Sequence, residues 1–448
     1  MSSSRRTQHF GPAHRWKVLA VGVVANASFA VAFSGLPITS VFIRAGYHLD
    51  NATLGWVIGL MGLGIAISEL PWGLLTDRWG DRPVLLTGLI STAAALALMA
   101  LFAAPTPDTV PPTWLLAVGL LSVGLLGGSV NGASGRAVMA WFQSGERGFA
   151  MSVRQTAVPL GGGIGALVLP ALAVHAGFAV IYWVLAAGCA AAALLTWLWL
   201  HEVPGAHGGQ VSAKAAEGVG ASVSPLRNGR VWMLVAATGI LCAPQFAVLS
   251  FGSVFLHDFA GAGVGVISSA MVSLQIGAMA MRVWSGHWTD RRRSRPFYLR
   301  ACASLTVVLF IAQALFALFA GSAGTLSPVV AWGLVALLAI SGICVSAWHG
   351  VAYTELATAA GASRAGTALG MANTSVFAVC FITPFSIPYL LAWQGWPLVW
   401  LAASAAAFVA LMLFKESEVS QAAPESLRAL PVPLVPTLQE SPQRASSG

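Results

Sequence analysis

Charge is what this chain has least of. Only 8% of its 448 residues are Asp, Glu, Lys or Arg, against 57% hydrophobic, and the mean hydropathy is +0.78. Soluble domains carry roughly 25% charged residues, so the medium around most of this chain is lipid. Long polar stretches are scarce as well, and with them any appended soluble domain. A net charge of +8 therefore does not imply nucleic acid, because no polar groove exists to hold it. The cysteines are five, an odd number: Cys189, Cys242, Cys302, Cys344 and Cys380. All lie in apolar runs without Cys-x-x-Cys spacing, which excludes a disulfide framework and a zinc site. There is no His-x-x-x-His, Gly-x-Ser-x-Gly or P-loop, so neither an enzyme, a metal nor a cofactor is expected.

What is present is apolar runs of spanning length, roughly 20 residues each. Twelve fall near 16–42, 53–72, 84–104, 113–138, 149–173, 177–200, 230–256, 263–285, 297–320, 328–356, 366–392 and 395–414. They divide the chain into a tail at 1–15, a six-helix bundle at 16–200, a Gly/Ala/Ser-rich link at 201–229, a second bundle at 230–414 and a tail expected to be disordered at 415–448. The fold class expected is all-α, membrane-spanning, with two pseudo-symmetric six-helix bundles. Basic residues crowd one face: Arg15, Lys17, Arg78, Arg82, Arg147, Arg291, Arg292, Arg293 and Arg295 among them, against Arg44 alone on the other. The positive-inside rule then puts both termini in the cytoplasm of a bacterial cell, in its inner membrane.

The two bundles repeat each other. Gly73-Leu-Leu-Thr-Asp77-Arg78 after span two recurs as Gly286-His-Trp-Thr-Asp290-Arg291 after span eight, 213 positions on. Asn131-Gly132 matches His349-Gly350, Gln155-Thr156 matches Asn373-Thr374, and Leu169-Pro170 matches Ile387-Pro388, each at 218. Duplication of a six-helix unit is a common build for transporters, with the solute site between repeats.

The loop Gly73-Leu-Leu-Thr-Asp77-Arg78-Trp-Gly80-Asp81-Arg82-Pro83 closely resembles the loop 2–3 motif of the major facilitator superfamily, matching at Gly73, Leu75, Asp77, Arg78, Gly80 and Arg82. Asp81 departs from it, standing where a basic residue is usual. Gly73 would allow close helix contact and Gly80 a tight turn. Asp77, with Asp290 as its copy, would clasp a basic side chain or a helix N-terminus in one state of the gate. The stretch Trp141-Phe142, Glu146-Arg147-Gly148, Ala150 is similar to one in superfamily members that import organic anions. Pro159-x-x-Gly162-Gly163 partly matches the span-five motif of drug/proton antiporters, with Val158 in place of a glycine. Gly161 and Gly165 form a small-xxx-small pair suited to close helix packing. The resemblance implies alternating access by rocking of the halves, with spans one, four, seven and ten lining a cavity.

Intramembrane charges are costly and mark function. Glu69 and Arg282, at equivalent positions before the repeated loops, are expected in the gate. Arg136 is expected to snorkel. Arg154 is the deeper guanidinium, and Gln155, Asn131, His349 and Asn373 share its depth. Asn26, Phe29 and Phe33 on span one, Gln245 on span seven, Gln275 on span eight and Tyr353 on span ten complete an expected solute-binding layer. His349 and Glu355 are the expected proton carriers, no deep acid being evident. The function expected is proton-coupled transport of a small organic anion by a monomer surrounded by lipid. Hydrophobic-drug efflux is the competing transport reading, and a non-transporting receptor on a transporter scaffold the competing class.

Overall fold

The computed structural model describes residues 11, 13–106, 108–142, 146–201, 225–292, 294–322, 326–360 and 365–414. The two tails and most of the link at 201–229 lie outside the described residues. The described chain is nearly all helix. Without water in the hydrocarbon core, every backbone N–H and C=O must be paired internally, and helices do this within one segment. Among the described residues, eleven helices are long and apolar enough to cross a membrane. The eleventh, Gly366–Leu413, has 48 residues, about 72 Å of straight helix for a core of about 30 Å. It breaks at Gln394 and Gly395, where Gly395 takes φ 70°, and returns toward its starting face: Arg300, near the start of span nine, donates to the Phe414 carbonyl at 3.2 Å. Twelve crossings result.

In chain order the spans are one (His14–Ile38, followed by a short helix Ser40–Gly46), two (Asn51–Trp79) and three (Asp81–Phe102). Span four is split into Thr113–Gly127 and Ser129–Trp141, and span five into Arg147–Gln155 and Ala157–His175. Span six is Gly177–Trp199; span seven is Gly229–Val254, extended by a π-turn at Phe255–Phe259. Spans eight and nine are Val264–Arg292 and Arg295–Ser322. Span ten is split into Pro328–Val345 and His349–Ala360; eleven and twelve are 365–393 and 396–413. The face holding Arg15, Gly80 and Arg292 is termed the basic face below, and the other the opposite face.

Local chemistry sets the ends. Asp50 caps span two, its Oδ1 accepting from the Thr53 N–H at 2.7 Å, and Ser327 caps span ten. Spans two and three are separated by Gly80 alone, at φ 91°, a left-handed conformation that glycine adopts without a Cβ penalty. Gly161 and Gly165 pack as the small-residue pair suggests. A Cβ on Gly161 would stand 2.5 Å from the Ala27 carbonyl, and one on Gly165 2.6 Å from the Gly35 Cα of span one. Gly73 does not: nothing lies within 4 Å of where its Cβ would be, so its place in the motif is not explained by helix contact. Large apolar side chains such as Leu70, Val329 and Trp393 are 70–80% exposed on the outside, as lipid contact requires.

Two spans are longer than their hydropathy suggests. Span two continues past 72 to Trp79 and span eight past 285 to Arg292, because amphipathic turns carrying Asp77 and Asp290 extend beyond the apolar run. Glu69 and Arg282 each lie ten residues, about 15 Å, from the basic-face ends of their helices.

Candidate functional site

The breaks in spans four, five and ten make the site. Span four breaks at Gly128 and span ten at Ser346–Trp348; Gly128 and Ser346 are 218 positions apart, the spacing that relates the halves. Guanidiniums bond to carbonyls beside these interruptions: those of Gln155 and Ser346 close helical pieces and so lack an i+4 donor, whereas Asn131 lies in the first turn of its piece. Arg154, at the end of the first piece of span five, donates from Nη2 to the Asn131 carbonyl at 2.6 Å and from Nε to Ser134 Oγ at 3.1 Å. Arg282 of span eight donates from Nη1 to the Gln155 carbonyl, 3.1 Å, and from Nε to the Ser346 carbonyl, 3.4 Å. One guanidinium thus ties the break in span five to the break in span ten, across the two halves.

A second polar chain crosses the halves beside it. Tyr353 Oη donates to Asn373 Oδ1 at 3.0 Å, and Asn373 Nδ2 donates to Glu69 Oε1 at 2.8 Å. Spans ten, eleven and two are joined in this way. Glu69, which the sequence reading placed in the gate, is thus bonded to the same layer. It is 9% exposed, while Arg154 is 4% and Arg282 6%. The charged groups of the layer are therefore two guanidiniums and one carboxylate. His349 completes it, with Nδ1 3.2 Å from the Ser346 carbonyl and its ring stacked on Trp348 at 3.8 Å between centroids.

Several polar atoms in this region are buried without a partner: Glu69 Oε2, Asn26 Nδ2, Gln245 Oε1 and Trp348 Nε1. An unmade buried hydrogen bond costs about 1–3 kcal/mol, so these four, on spans one, two, seven and ten, mark a place suited to a polar ligand. An aromatic cluster adjoins them. Phe33 lies 5.6 Å from Phe246, 5.4 Å from Phe377 and 6.3 Å from Phe29, centroid to centroid.

Beyond those rings the opposite face is shut. Ser40 Oγ donates to the Ser250 carbonyl at 2.8 Å, and Arg44 grips Asp258 with two bonds. Spans two and eleven are so close that a Cβ on Gly55 would overlap the Pro384 carbonyl oxygen. Spans five and eight meet likewise. No comparable pairing joins the second pieces of spans four and ten among the described residues, and the layer is screened from the opposite face.

Other expected residues fall elsewhere. Gln275 packs on Gly162, whose Cβ would overlap its Nε2, so it is part of the span five–eight seam; the side chain is long enough to fill the groove that two glycines leave. Arg136 does not snorkel: it pairs with Asp81 at 2.6 Å and donates to the Thr76 carbonyl, anchoring the motif loop to span four. Glu355 pairs with Arg230 at 2.9 Å, at the start of span seven. Arg82 donates to the Trp197 carbonyl at 2.6 Å, and Arg78 and Arg291 are exposed. A Cβ on Gly286 would stand 3.9 Å from Ser152 Oγ. The side chains of Asp77 and Asp290 lie outside the described residues. Sequence reasoning missed Ser134, Ser346, Phe246 and Phe377 as site residues.

Two pseudo-symmetric bundles of six spans, with broken helices surrounding a buried polar layer at their interface, define a polytopic membrane carrier. The family model described as Major Facilitator Superfamily matches residues 20–312, and the chain belongs to that superfamily. Its members are transporters of small solutes, not enzymes, and reside in membranes. An uncharacterized MFS-type transporter of Mycobacterium tuberculosis is 30% identical over 402 residues, covering 87% of this chain and 82% of that protein. The class C tetracycline resistance protein of Escherichia coli is 30% identical over 153 residues, 32% of this chain and 35% of that one. Among solved structures, a D-xylose-proton symporter superposes with a TM-score of 0.68 at 16% identity, covering 89% of this chain and 97% of the other; this likeness concerns the fold.

Proposed function

We propose that this carrier moves a small organic anion, a carboxylate, together with a proton across a bacterial inner membrane, with both termini in the cytoplasm. The observation that supports the reading is the charge of the layer: Arg154 and Arg282 against the single acid Glu69. A guanidinium keeps its charge in a low dielectric and offers a planar fork that matches a carboxylate. Arg154 spends two nitrogens on neutral oxygens, which leaves its charge to be met by a ligand. Glu69, with one oxygen unpartnered, joins His349 as a proton carrier. Its protonation would remove the negative charge that competes with the anion, so proton and solute would bind together.

The aromatic cluster of Phe29, Phe33, Phe246 and Phe377 favours one other reading, efflux of an apolar compound. The likeness to a tetracycline resistance protein over a third of the chain points the same way. Reconstituted vesicles separate the two. Uptake of labelled mono- and dicarboxylates should rise when the outside is made acidic, and unlabelled carboxylate should compete. Competition by hydrophobic cations but by no carboxylate would replace the anion reading with efflux. Cysteines placed singly at 50–52 should react with impermeant reagents on intact cells and those at 80–83 should not; the reverse pattern would invert the orientation.

A further inference from the structure

A groove of about 300 Å³ lies between spans three and six, away from the polar layer. Leu86, Ile90 and Ala93 line one wall; Ala190, Leu194 and Trp197 line the other. It opens to the bilayer, since Ile90, Leu194 and Trp197 are 54–59% exposed. Helical spacing makes the groove a continuation of a single cation. Arg82, Leu86 and Ile90 are four apart and share one face of span three, as Trp197, Leu194 and Ala190 share one face of span six. From Leu86 to Ala93 is about 10 Å of helix, within the roughly 15 Å depth of one leaflet.

Arg82 stands at the basic-face mouth of this groove. Its Nη2 donates to the Trp197 carbonyl, one of the last in span six and so without a helical donor. Its Nε is buried and has no partner, and no carboxylate among the described residues pairs with it. The adjacent acid, Asp81, is held by Arg136. Trp79, Trp197 and Trp199 are exposed at the same end, the level at which tryptophans meet lipid headgroups. An unneutralised guanidinium over an apolar channel one leaflet deep is complementary to a phosphate joined to an acyl chain.

We propose that this groove is a binding site for an anionic phospholipid, its phosphate on Arg82 and one acyl chain between Leu86–Ala93 and Ala190–Trp197. Among the described residues at this mouth, a net charge of −1 is matched by the Arg82 guanidinium, and the ammonium of a zwitterionic headgroup finds no uncommitted carboxylate, Asp81 being paired with Arg136. The second half supplies a control. Arg300, 218 positions after Arg82, makes the same kind of bond to the Phe414 carbonyl, joining spans nine and twelve. If the guanidinium–carbonyl bond were only a staple between helices, the two arginines would behave alike toward lipid.

The test is native mass spectrometry of the purified full chain titrated with phosphatidylglycerol, and separately with phosphatidylethanolamine. Wild type should retain one phosphatidylglycerol more tightly than phosphatidylethanolamine. Arg82→Gln should weaken that retention about tenfold, as loss of a charge-assisted contact does, while Arg300→Gln should leave it unchanged. Ala190→Trp, which fills the groove and leaves Arg82 in place, should weaken retention of both lipids. Equal losses in Arg82→Gln and Arg300→Gln would reduce the effect to surface charge and overturn the site. So would unchanged retention in Arg82→Gln, unchanged retention in Ala190→Trp, or displacement of the lipid by inorganic phosphate at equal concentration. Each variant is first checked for monodispersity and thermal stability, and should Arg82→Gln fail to fold, the lipid preference of Ala190→Trp decides alone.

Discussion

Arg44 and Asp258 join the two halves of the protein at the opposite face, with Nη1 2.5 Å from one carboxylate oxygen and Nη2 2.7 Å from the other. Arg44 comes from the short helix after span one and Asp258 from the π-turn that extends span seven, so the pair closes the two symmetry-related spans over the layer. Asn51 accepts from the same guanidinium and His257 touches the same carboxylate. Such a lock biases one state of an alternating-access cycle without being needed for folding.

Breaking it should therefore open the opposite face. The pair is partly exposed, 22% and 32%, so about 1 kcal/mol is a fair upper figure, or roughly a fivefold change in the ratio of states. Ser253, which is 1% exposed beneath the lock, reports on this when changed to cysteine in a background with the native cysteines replaced. Labelling from the opposite face should be about fivefold faster in Asp258→Asn and return to the original rate when Arg44→Asp is combined with Asp258→Arg. Equal rates in lock-broken and intact protein would show that the pair does not hold the closed state.

The glycine seams make a second, contrasting forecast. A Cβ on Gly55 would overlap the Pro384 carbonyl across the halves, whereas one on Gly124 would overlap the Met61 carbonyl within the first half. Overpacking of this kind costs about 1–3 kcal/mol. Rocking of the halves relieves the clash at Gly55 but not the one at Gly124. Gly55→Ala should keep its melting temperature and show faster labelling at the Ser253→Cys reporter; Gly124→Ala should lose thermal stability with no change in labelling. A large stability loss in Gly55→Ala would mean that the spans two–eleven seam does not open in the cycle.

Much of this was legible in the sequence, for identifiable reasons. Twelve apolar runs and the repeat at Asp77 and Asp290 follow from hydropathy and from residue identity, which survive in one dimension. Asn131, Gln155, His349 and Asn373 were brought to one depth by counting residues from helix ends; in the structure Asn373 and the Gln155 carbonyl belong to the two chains that link the halves, while His349 bonds within its own span. The bond between Glu69 and Asn373 was not legible, because nothing local relates residues 304 positions apart. The roles of the Asn131, Gln155 and Ser346 carbonyls were not legible at all. They depend on where helices break, and Gly128 in a run of glycines or Ser346 in an apolar run carries little local signal of a break. Arg44 and Asp258 lie 214 positions apart, and nothing local relates them.

The two buried arginines should separate binding from conformational change. Arg154 bonds only within the first half, to Asn131 and Ser134, while Arg282 links span five to span ten. Arg154→Lys keeps the charge but not the fork, and the dissociation constant for the anion should rise about 10- to 150-fold per folded molecule. Arg282→Lys should alter affinity less and slow exchange more, since an ammonium cannot hold both carbonyls at once. Unchanged affinity in Arg154→Lys would remove this guanidinium from the anion site and leave it the role of pinning the break in span five.

Glu69 carries the last prediction, because it is the acid in the layer and its environment is asymmetric. One oxygen accepts from Asn373; the other is buried and unpartnered. The charged and titratable groups that act on it are Arg154 on span five and Tyr353 on span ten. Glu69→Gln preserves the shape and the bond from Asn373 while fixing the side chain in a neutral state. If the proton travels on Glu69, anion affinity in the wild type should rise as pH falls, since protonation removes the charge that competes for the guanidiniums. In Glu69→Gln the affinity should no longer depend on pH and should stay at the acid-side value. Uptake driven by a proton gradient should be lost, while exchange of labelled for unlabelled solute, which needs no net proton movement, should persist. The same measurements on His349→Asn identify the alternative. Full pH dependence retained in Glu69→Gln but abolished in His349→Asn would transfer the proton to the imidazole, and loss of exchange together with loss of folded protein in Glu69→Gln would make the Glu69–Asn373–Tyr353 chain structural.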